Sequence, residues 1–75
     1  MGQTIWPDNV RYAFLISGTQ PARILGAFPE LEISDVSAEC TTLSGLVSGP
    51  TELRGLLARF DALDVTVIEM RRLPH

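Results

Sequence analysis

Residues 11–17 read Arg-Tyr-Ala-Phe-Leu-Ile-Ser and end at Gly18, and this stretch decides the fold. Aromatic and branched side chains in a short run that stops at a glycine are typical of a β-strand. Successive side chains of a strand point to opposite faces, and both faces of this run are apolar, with Phe14 on one and Leu15 on the other. We therefore expect a central strand of a sheet, buried on both sides.

The residues after this strand predict a short helix. Thr19 can cap it by accepting hydrogen bonds from backbone N–H groups, and Pro21 suits a first turn, where its missing donor has no intrahelical partner. Apolar residues then follow at helical spacing: Ile24, Leu25 and Phe28. Pro29 ends the run, so we expect a helix of about two to three turns.

Beyond this helix the period of the hydrophobic pattern changes to two. Leu31 and Ile33 alternate with polar residues, which predicts a half-buried strand, and residues 35–39 form a polar connection. Residues 40–47, Cys-Thr-Thr-Leu-Ser-Gly-Leu-Val, are rich in β-formers and predict the returning strand of a hairpin. Gly45 within that strand indicates a bulge or the close approach of another backbone.

The clearest helix of the chain begins near Pro50, which suits a first turn, and Glu52 favours the positive end of the helix dipole. Apolar residues form one stripe along it: Leu53, Leu56, Leu57, Phe60 and Leu63. Gly55 inside the helix costs about 1 kcal/mol relative to alanine. That cost is understandable if the helix lies close against the sheet at this point.

Residues 65–73, Val-Thr-Val-Ile-Glu-Met-Arg-Arg-Leu, predict a last strand. Its far end carries Arg71 and Arg72, followed by Pro74. Charges and proline at this position discourage uncontrolled pairing of a sheet edge.

The order of the elements is strand, helix, strand, strand, helix, strand. It predicts one α+β domain over residues 11–74, preceded by an N-terminal arm of residues 1–10. The expected fold is the ferredoxin-like βαββαβ two-layer sandwich, a four-stranded antiparallel sheet with two helices on one face. Right-handed crossovers would place the first and third strands in the centre. A two-layer domain with another strand order uses the same elements and remains an alternative.

Residues 11–73 resemble small ferredoxin-like domains of the ACT type. ACT domains usually carry an acidic residue and a Pro-Gly pair where the first strand meets the first helix. Here residues 17–22 read Ser-Gly-Thr-Gln-Pro-Ala, without the acid. Residues 52–73 are also similar to small uncharacterised actinobacterial proteins that end in a comparable helix and strand.

The ACT resemblance implies a site for a small molecule, such as an amino acid or an aromatic acid, at a dimer interface. Enzymatic use of such a site, as in small ferredoxin-like oxygenases and isomerases, belongs to the same alternative. The ligand-binding residues that it implies are Tyr12, Gly18, Thr19 and Arg72.

Composition limits the classes of function. A 75-residue chain has a marginal core, and its single cysteine rules out an intrachain disulfide, so we expect oligomerisation to supply the missing stability. The net charge of −3, with six arginines and no lysine, does not favour nucleic acid. No apolar run is long enough for a membrane span, and no signal peptide is evident, so a lone thiol indicates the cytoplasm.

Residues with catalytic chemistry are few, and we predict neither an enzyme nor a bound cofactor or metal. The one histidine, His75, is terminal. Cys40 follows Glu39, which disfavours a thiolate, so a buried small apolar side chain is the better interpretation. The acids of residues 30–39 fit a solvated loop better than a cation site. Residues 18–19 could bind an anion, but simple capping is favoured.

One face of the sheet remains apolar after the helices have covered the other, and such a patch usually marks an interface. The predicted interface residues are Trp6, Ala13, Leu15, Ile68 and Met70. Pairing of two identical surfaces is the economical way to cover them. We therefore expect a non-catalytic binding or assembly module, an accessory or regulatory homodimer that contacts another protein.

Overall fold

In the computed structural model, residues 10–74 are described. The elements are β1 (Arg11–Ser17), α1 (Ala22–Leu25), β2 (Glu32–Val36), β3 (Cys40–Leu46), α2 (Pro50–Ala62) and β4 (Val67–Leu73). The four strands form one sheet in the order β2-β3-β1-β4, and every neighbouring pair is antiparallel. The predicted α+β class, with four antiparallel strands and two helices, is confirmed, and β1 lies inside the sheet as expected.

The register of β1 defines the two faces of the sheet. Phe14 lies between Leu43 of β3 and Met70 of β4, whereas Leu15 lies between Thr42 and Glu69. We call the side of Phe14 the core face and the side of Leu15 the open face. The fully buried side chains of β1, Phe14 and Ile16, are both on the core face.

Three phenylalanines join the two helical segments to the core face. The Phe60 ring of α2 lies 5.5 Å from the Phe14 ring and 4.2 Å from the ring of Phe28, which follows α1. All three are at most 1% exposed. Because aromatic rings at these separations gain stability beyond the burial of their area, this trio is the centre of the core. Other members are Ile24, Leu31, Leu43, Val47, Leu56 and Val65.

The α2 helix ends in a Schellman motif formed without glycine. The N–H of Val65 donates to the carbonyl of Phe60, and the N–H of Asp64 donates to that of Asp61. Asp64 has a φ of 60°, in the left-handed region where glycine is usual and aspartate is tolerated. Val65 and Phe60 both belong to the buried core, which is the apolar contact that accompanies this motif.

Pro50 stands at the start of α2 as predicted, but the expected reason for Gly55 is wrong. Gly55 is exposed, and a Cβ atom built on it meets nothing within 4 Å. The apolar stripe therefore faces the core without any need for a small residue at this position. Gly55 only weakens the helix.

We expect Gly55→Ala to stabilise the protein by about 1 kcal/mol, because alanine is the better helix former and no atom stands in its way. The midpoint of urea unfolding, followed by circular dichroism, measures the change. A midpoint at or below that of the parent would contradict the assignment of residue 55 to an unobstructed helix surface.

The α1 helix is shorter than predicted. It has four residues, so it extends roughly 6 Å, and Pro21 rather than Thr19 is its N-cap, with no side-chain hydrogen bond. The Thr19 hydroxyl instead donates to the carbonyl of Ser37, 3.2 Å away. The predicted cap is wrong because the turn between β2 and β3 offers Thr19 another acceptor.

The predicted half-buried strand around Leu31 and Ile33 is also wrong in its burial. β2 begins at Glu32, and all five of its residues are exposed. Ile33 pairs with Leu43 and so lies on the core face, yet it is 50% exposed. A helix of four residues is too short to cover this edge, so the alternation in the sequence is real but its apolar side stays open.

β3 and β4 each contain a local irregularity. Another backbone lies close to Gly45 of β3, and Ile68 of β4 forms a β-bulge. A Cβ atom on Gly45 would lie 2.6 Å from the carbonyl oxygen of Glu30, which confirms the predicted close approach of another backbone. Ile16 and Leu15 of β1 pair with Val67 and Glu69 of β4, so Ile68 between them is an extra residue. β4 also starts at Val67, because Val65 belongs to the end of α2.

Candidate functional site

The four residues implied as ligand contacts lie at opposite ends of β1. Tyr12 and Arg72 are register partners near one end, while Gly18 and Thr19 follow the other end. Six residues of extended chain from 12 to 18 span roughly 20 Å. The structure therefore does not bring these residues together as one small-molecule site.

The turn at Gly18 and Thr19 is bound to the rest of the protein on several sides. The Gly18 N–H donates to the carbonyl of Glu39 at 2.6 Å, and its carbonyl accepts from the Thr41 hydroxyl at 2.9 Å. Gly18 has a φ of 75°, a conformation that glycine adopts without strain. Because its N–H already has a partner, this turn serves the packing of β1 against the β2–β3 connection.

Cys40 lies at the start of β3, opposite Ser17, and its side chain is half-buried. The prediction of a buried small apolar side chain is therefore only partly met. Within residues 10–74, no group of three or more histidine, cysteine, aspartate or glutamate side chains is close enough together to hold a metal ion.

The acids of residues 30–39 do not share one environment. Glu32 and Asp35 are exposed on β2, whereas Glu30 accepts a hydrogen bond from Arg59 at 2.9 Å. The Arg59 guanidinium also donates to the carbonyl of Ala27 and lies 5.3 Å from the Phe28 ring centroid. Arg59 thus joins α2 to the segment after α1, and Glu30 has a structural role.

The hydrogen bond from Arg59 lowers the pKa of Glu30 below its ordinary value of 4.5. A carboxylate with a lowered pKa in the folded state stabilises that state above the unfolded-state pKa and loses this effect as the pH falls through the folded value. The contribution of Glu30 should therefore be present at neutral pH and should be lost progressively as the pH falls from 4.5 through the lower pKa of the folded state.

We expect Glu30→Gln to lower the free energy of unfolding at pH 7 and to have a smaller effect in acid. Urea titrations of the parent and the variant across this pH range measure the difference. The Glu52 carboxylate accepts from Ser48 at the start of α2 and also has a lowered pKa. It is present in both proteins, so its titration cancels in the difference between them. A pH-independent difference would contradict a role for the Glu30 charge.

The open face contains a shallow depression of about 160 Å³. Its lining is Ala13, Leu15, Thr42, Glu69 and Arg71. Sites for drug-sized ligands usually enclose about 300–1,000 Å³. The depression is smaller than that, so this face is better suited to surface contact than to enclosing a ligand.

The predicted interface residues fall into two groups. Ala13, which is buried, and Leu15, which is half-buried, lie on the open face. Met70 pairs with Phe14 and so lies on the core face, where the edge strand leaves it 39% exposed, and the bulge residue Ile68 is 53% exposed. Trp6 lies outside the described residues.

Three further apolar side chains are exposed that the predicted interface did not include: Ile33, Val36 and Leu46. The first two belong to the edge strand β2. The alternation of the sequence predicts burial for Ile33, whereas Val36 falls in the predicted polar connection of residues 35–39, and the sequence holds no signal that α1 would be too short to cover them.

Within residues 10–74 no helix has the length and apolar character that crossing a membrane requires. The family model described as Domain of unknown function (DUF8691) matches residues 11–71. No curated protein and no solved structure matches the chain.

Proposed function

Since the chain belongs to the DUF8691 family, whose function is unknown, we propose from the geometry that it is a homodimerising, non-catalytic binding module. The observation that carries this proposal is the exposed edge of β4, where Ile68 is 53% and Met70 is 39% exposed. An edge strand presents unpaired N–H and C=O groups, and large apolar side chains beside them favour pairing with another chain.

The marginal core supports the same proposal. A chain of 75 residues leaves a large part of its surface exposed, and it has one free cysteine and no disulfide. Association is the remaining common way for so small a domain to gain stability. The lone thiol of Cys40 fits a reducing compartment, so we place this module in the cytoplasm.

We further propose that the fold is ferredoxin-like. The strand order β2-β3-β1-β4 supports this arrangement, as do the residues that both helical segments contribute to the core on one face of the sheet. In this arrangement the open face, with the half-buried Leu15 near its middle, would contact a second protein. The module would then act as an accessory or regulatory subunit.

Light scattering of the parent protein at micromolar concentration tests the proposal, and we expect a dimer. Met70→Glu should convert it to a monomer, because the substitution places a charge on an exposed apolar edge. Ile33→Glu is the matched control, since Ile33 is similarly exposed but lies on the opposite edge strand. A folded parent that stays monomeric at every concentration would refute self-association.

A further inference from the structure

We infer that the dimer forms by antiparallel pairing of β4 with β4 of a second copy, in a register centred on Met70. This inference rests on the proposed self-association and names its interface. The two four-stranded sheets would then continue into one sheet of eight strands.

The backbone groups that point outward from β4 follow from the hydrogen bonds of β1. The Ser17 N–H donates to Thr66, on the β4 side, whereas the Gly18 N–H donates to Glu39, on the β3 side. Because these directions alternate along a strand, the odd-numbered residues of β1 exchange hydrogen bonds with β4. Their partners there are Glu69 and Arg71. The N–H and C=O groups of Met70 and Arg72 therefore face the free edge.

The charges on β4 favour the symmetric register centred on Met70 over its two neighbours. When Met70 lies opposite its own copy, Glu69 of each chain lies opposite Arg71 of the other, which gives two pairs of opposite charge. Shifting the centre to residue 69 places Glu69 opposite Glu69, and shifting it to residue 71 places Arg71 opposite Arg71. Both alternatives bring like charges together at non-hydrogen-bonded positions, where side chains are closest.

Glu69 and Arg71 are available for this role. Both are exposed on the open face, and neither side chain makes a hydrogen bond or an ion pair with another described residue. The same arrangement places Ile68 opposite Arg72, whose aliphatic stem can cover it. Charges that discourage pairing with an arbitrary strand thus complement a second copy of the same strand.

The bulge limits the length of the pairing. Val67 pairs with Ile16 on the core face, whereas Leu73 pairs with Arg11 on the open face. Residues opposite each other in a ladder must share a face, so Val67 cannot pair with Leu73 of the partner in this register. The shared ladder is confined to residues 68–72, about the length of an ordinary strand.

The other edge of the sheet does not offer the same complementarity. β2 carries Glu32 and Asp35 without a basic residue, so two copies of it would bring four acids together. Pairing of β2 with β4 of another copy would satisfy charge, but it joins different surfaces and gives a ring or an open chain of molecules instead of a symmetric dimer. Symmetric pairing of β4 is the closed solution.

Charge reversal at the two pairing positions tests the register. Glu69→Arg alone places arginine opposite Arg71, and Arg71→Glu alone places glutamate opposite Glu69, so each should raise the dimer dissociation constant by about tenfold or more. The double variant, Glu69→Arg with Arg71→Glu, restores both pairs and should return the constant to near the parental value. Circular dichroism confirms that each variant is folded.

Asp35→Arg is the matched control for Glu69→Arg, because both variants replace an acid by arginine on the open face. Asp35 and Glu69 lie in the same cross-strand row, at opposite edges of the sheet. Asp35→Arg should leave the dimer unchanged. If the parent is a dimer but the double variant does not recover, or if Asp35→Arg dissociates it, the β4 interface is wrong while self-association stands. A parent protein that forms oligomers larger than a dimer as its concentration rises would also contradict the β4 interface. A monomeric parent refutes both proposals.

Cross-linking provides a second measurement of the register. In a background with Cys40→Ser, Met70→Cys should form a disulfide-linked dimer on mild oxidation, since directly opposite residues of a hydrogen-bonded pair lie about 5.5 Å apart at Cα. Ile33→Cys should remain reduced. Faster cross-linking by Glu69→Cys than by Met70→Cys would overturn the register centred on Met70.

Discussion

Replacing Phe60 by alanine is expected to leave the chain largely unfolded at room temperature. Removing a buried phenylalanine side chain costs about 3–5 kcal/mol, which is close to the whole stability that a core of this size supplies. Phe60 is 1% exposed, and its ring contacts Phe14 of the sheet and Phe28 of the segment after α1. The substitution would therefore remove the side chain that both of these rings contact.

Far-UV circular dichroism and urea unfolding measure this effect. Ile33→Ala is a suitable control, because Ile33 is also a large apolar residue but is half-exposed at the sheet edge, so its loss should cost under about 1 kcal/mol. A Phe60→Ala variant that unfolds with nearly the parental midpoint would show that the three phenylalanines are not the centre of the core.

Replacing Gly45 by alanine is expected to destabilise the protein by about 2–3 kcal/mol, in the range of overpacked cores. The added Cβ atom would lie 2.6 Å from the Glu30 carbonyl oxygen and 3.0 Å from a methyl carbon of Leu31. The first of these is a backbone atom, which cannot rotate away. β3 or the chain at Glu30 must move, and both touch the buried core through Leu31 and Leu43.

The same chemical change at Gly55 serves as the control, because we expect it to stabilise the protein. Gly45→Ala and Gly55→Ala should thus shift the midpoint of urea unfolding in opposite directions. Shifts of the same sign would contradict the difference in surroundings, since the two variants have the same added methyl group and the same composition.

The parts of the fold that could be predicted are those in which local chemistry and tertiary packing agree. Residues 11–17 are a strand with the predicted bounds, because aromatic and branched side chains suit a strand inside a sheet, but Leu15 on the open face is only half-buried and not fully buried as expected. Pro50 marks the start of α2, since its missing N–H is harmless there. Gly45 predicts a bulge or a close backbone approach, the common reasons for glycine in a strand, and the second of these is found.

The parts that could not be predicted depend on distant partners. Thr19 has the chemistry of a cap, but the carbonyl of Ser37, far along the chain, is its acceptor. The pattern of β2 implies one buried side, yet burial requires a covering element, and the length of α1 decides that. The bulge at Ile68 shifts the alternation of β4 by one residue. Strict alternation from Val67 would place Met70 on the open face with Leu15, but Met70 lies on the core face with Phe14.

The candidate site shows the same limit. The resemblance groups Tyr12, Gly18, Thr19 and Arg72, but the length of β1 separates Tyr12 and its register partner Arg72 from the other two. Ile68 and Met70 are exposed at the sheet edge, and their part in an interface stays a prediction. Both residues lie on an edge strand and not in the middle of a sheet face. This position depends on the strand order, which hydrophobic periodicity alone does not reveal.

The exposure of β2 has a consequence for the dynamics of the domain. The strand contributes its backbone to the sheet, but even its apolar side chains Ile33 and Val36 are half-exposed, so opening it exposes little additional apolar surface. Segments of this kind open with a free energy well below that of global unfolding. We therefore expect the amides that join β2 to β3 to exchange with solvent sooner than those between β1 and β3. The domain then consists of a slowly exchanging unit, β1 with β3 and α2, and an outer strand that can detach and return without loss of the core.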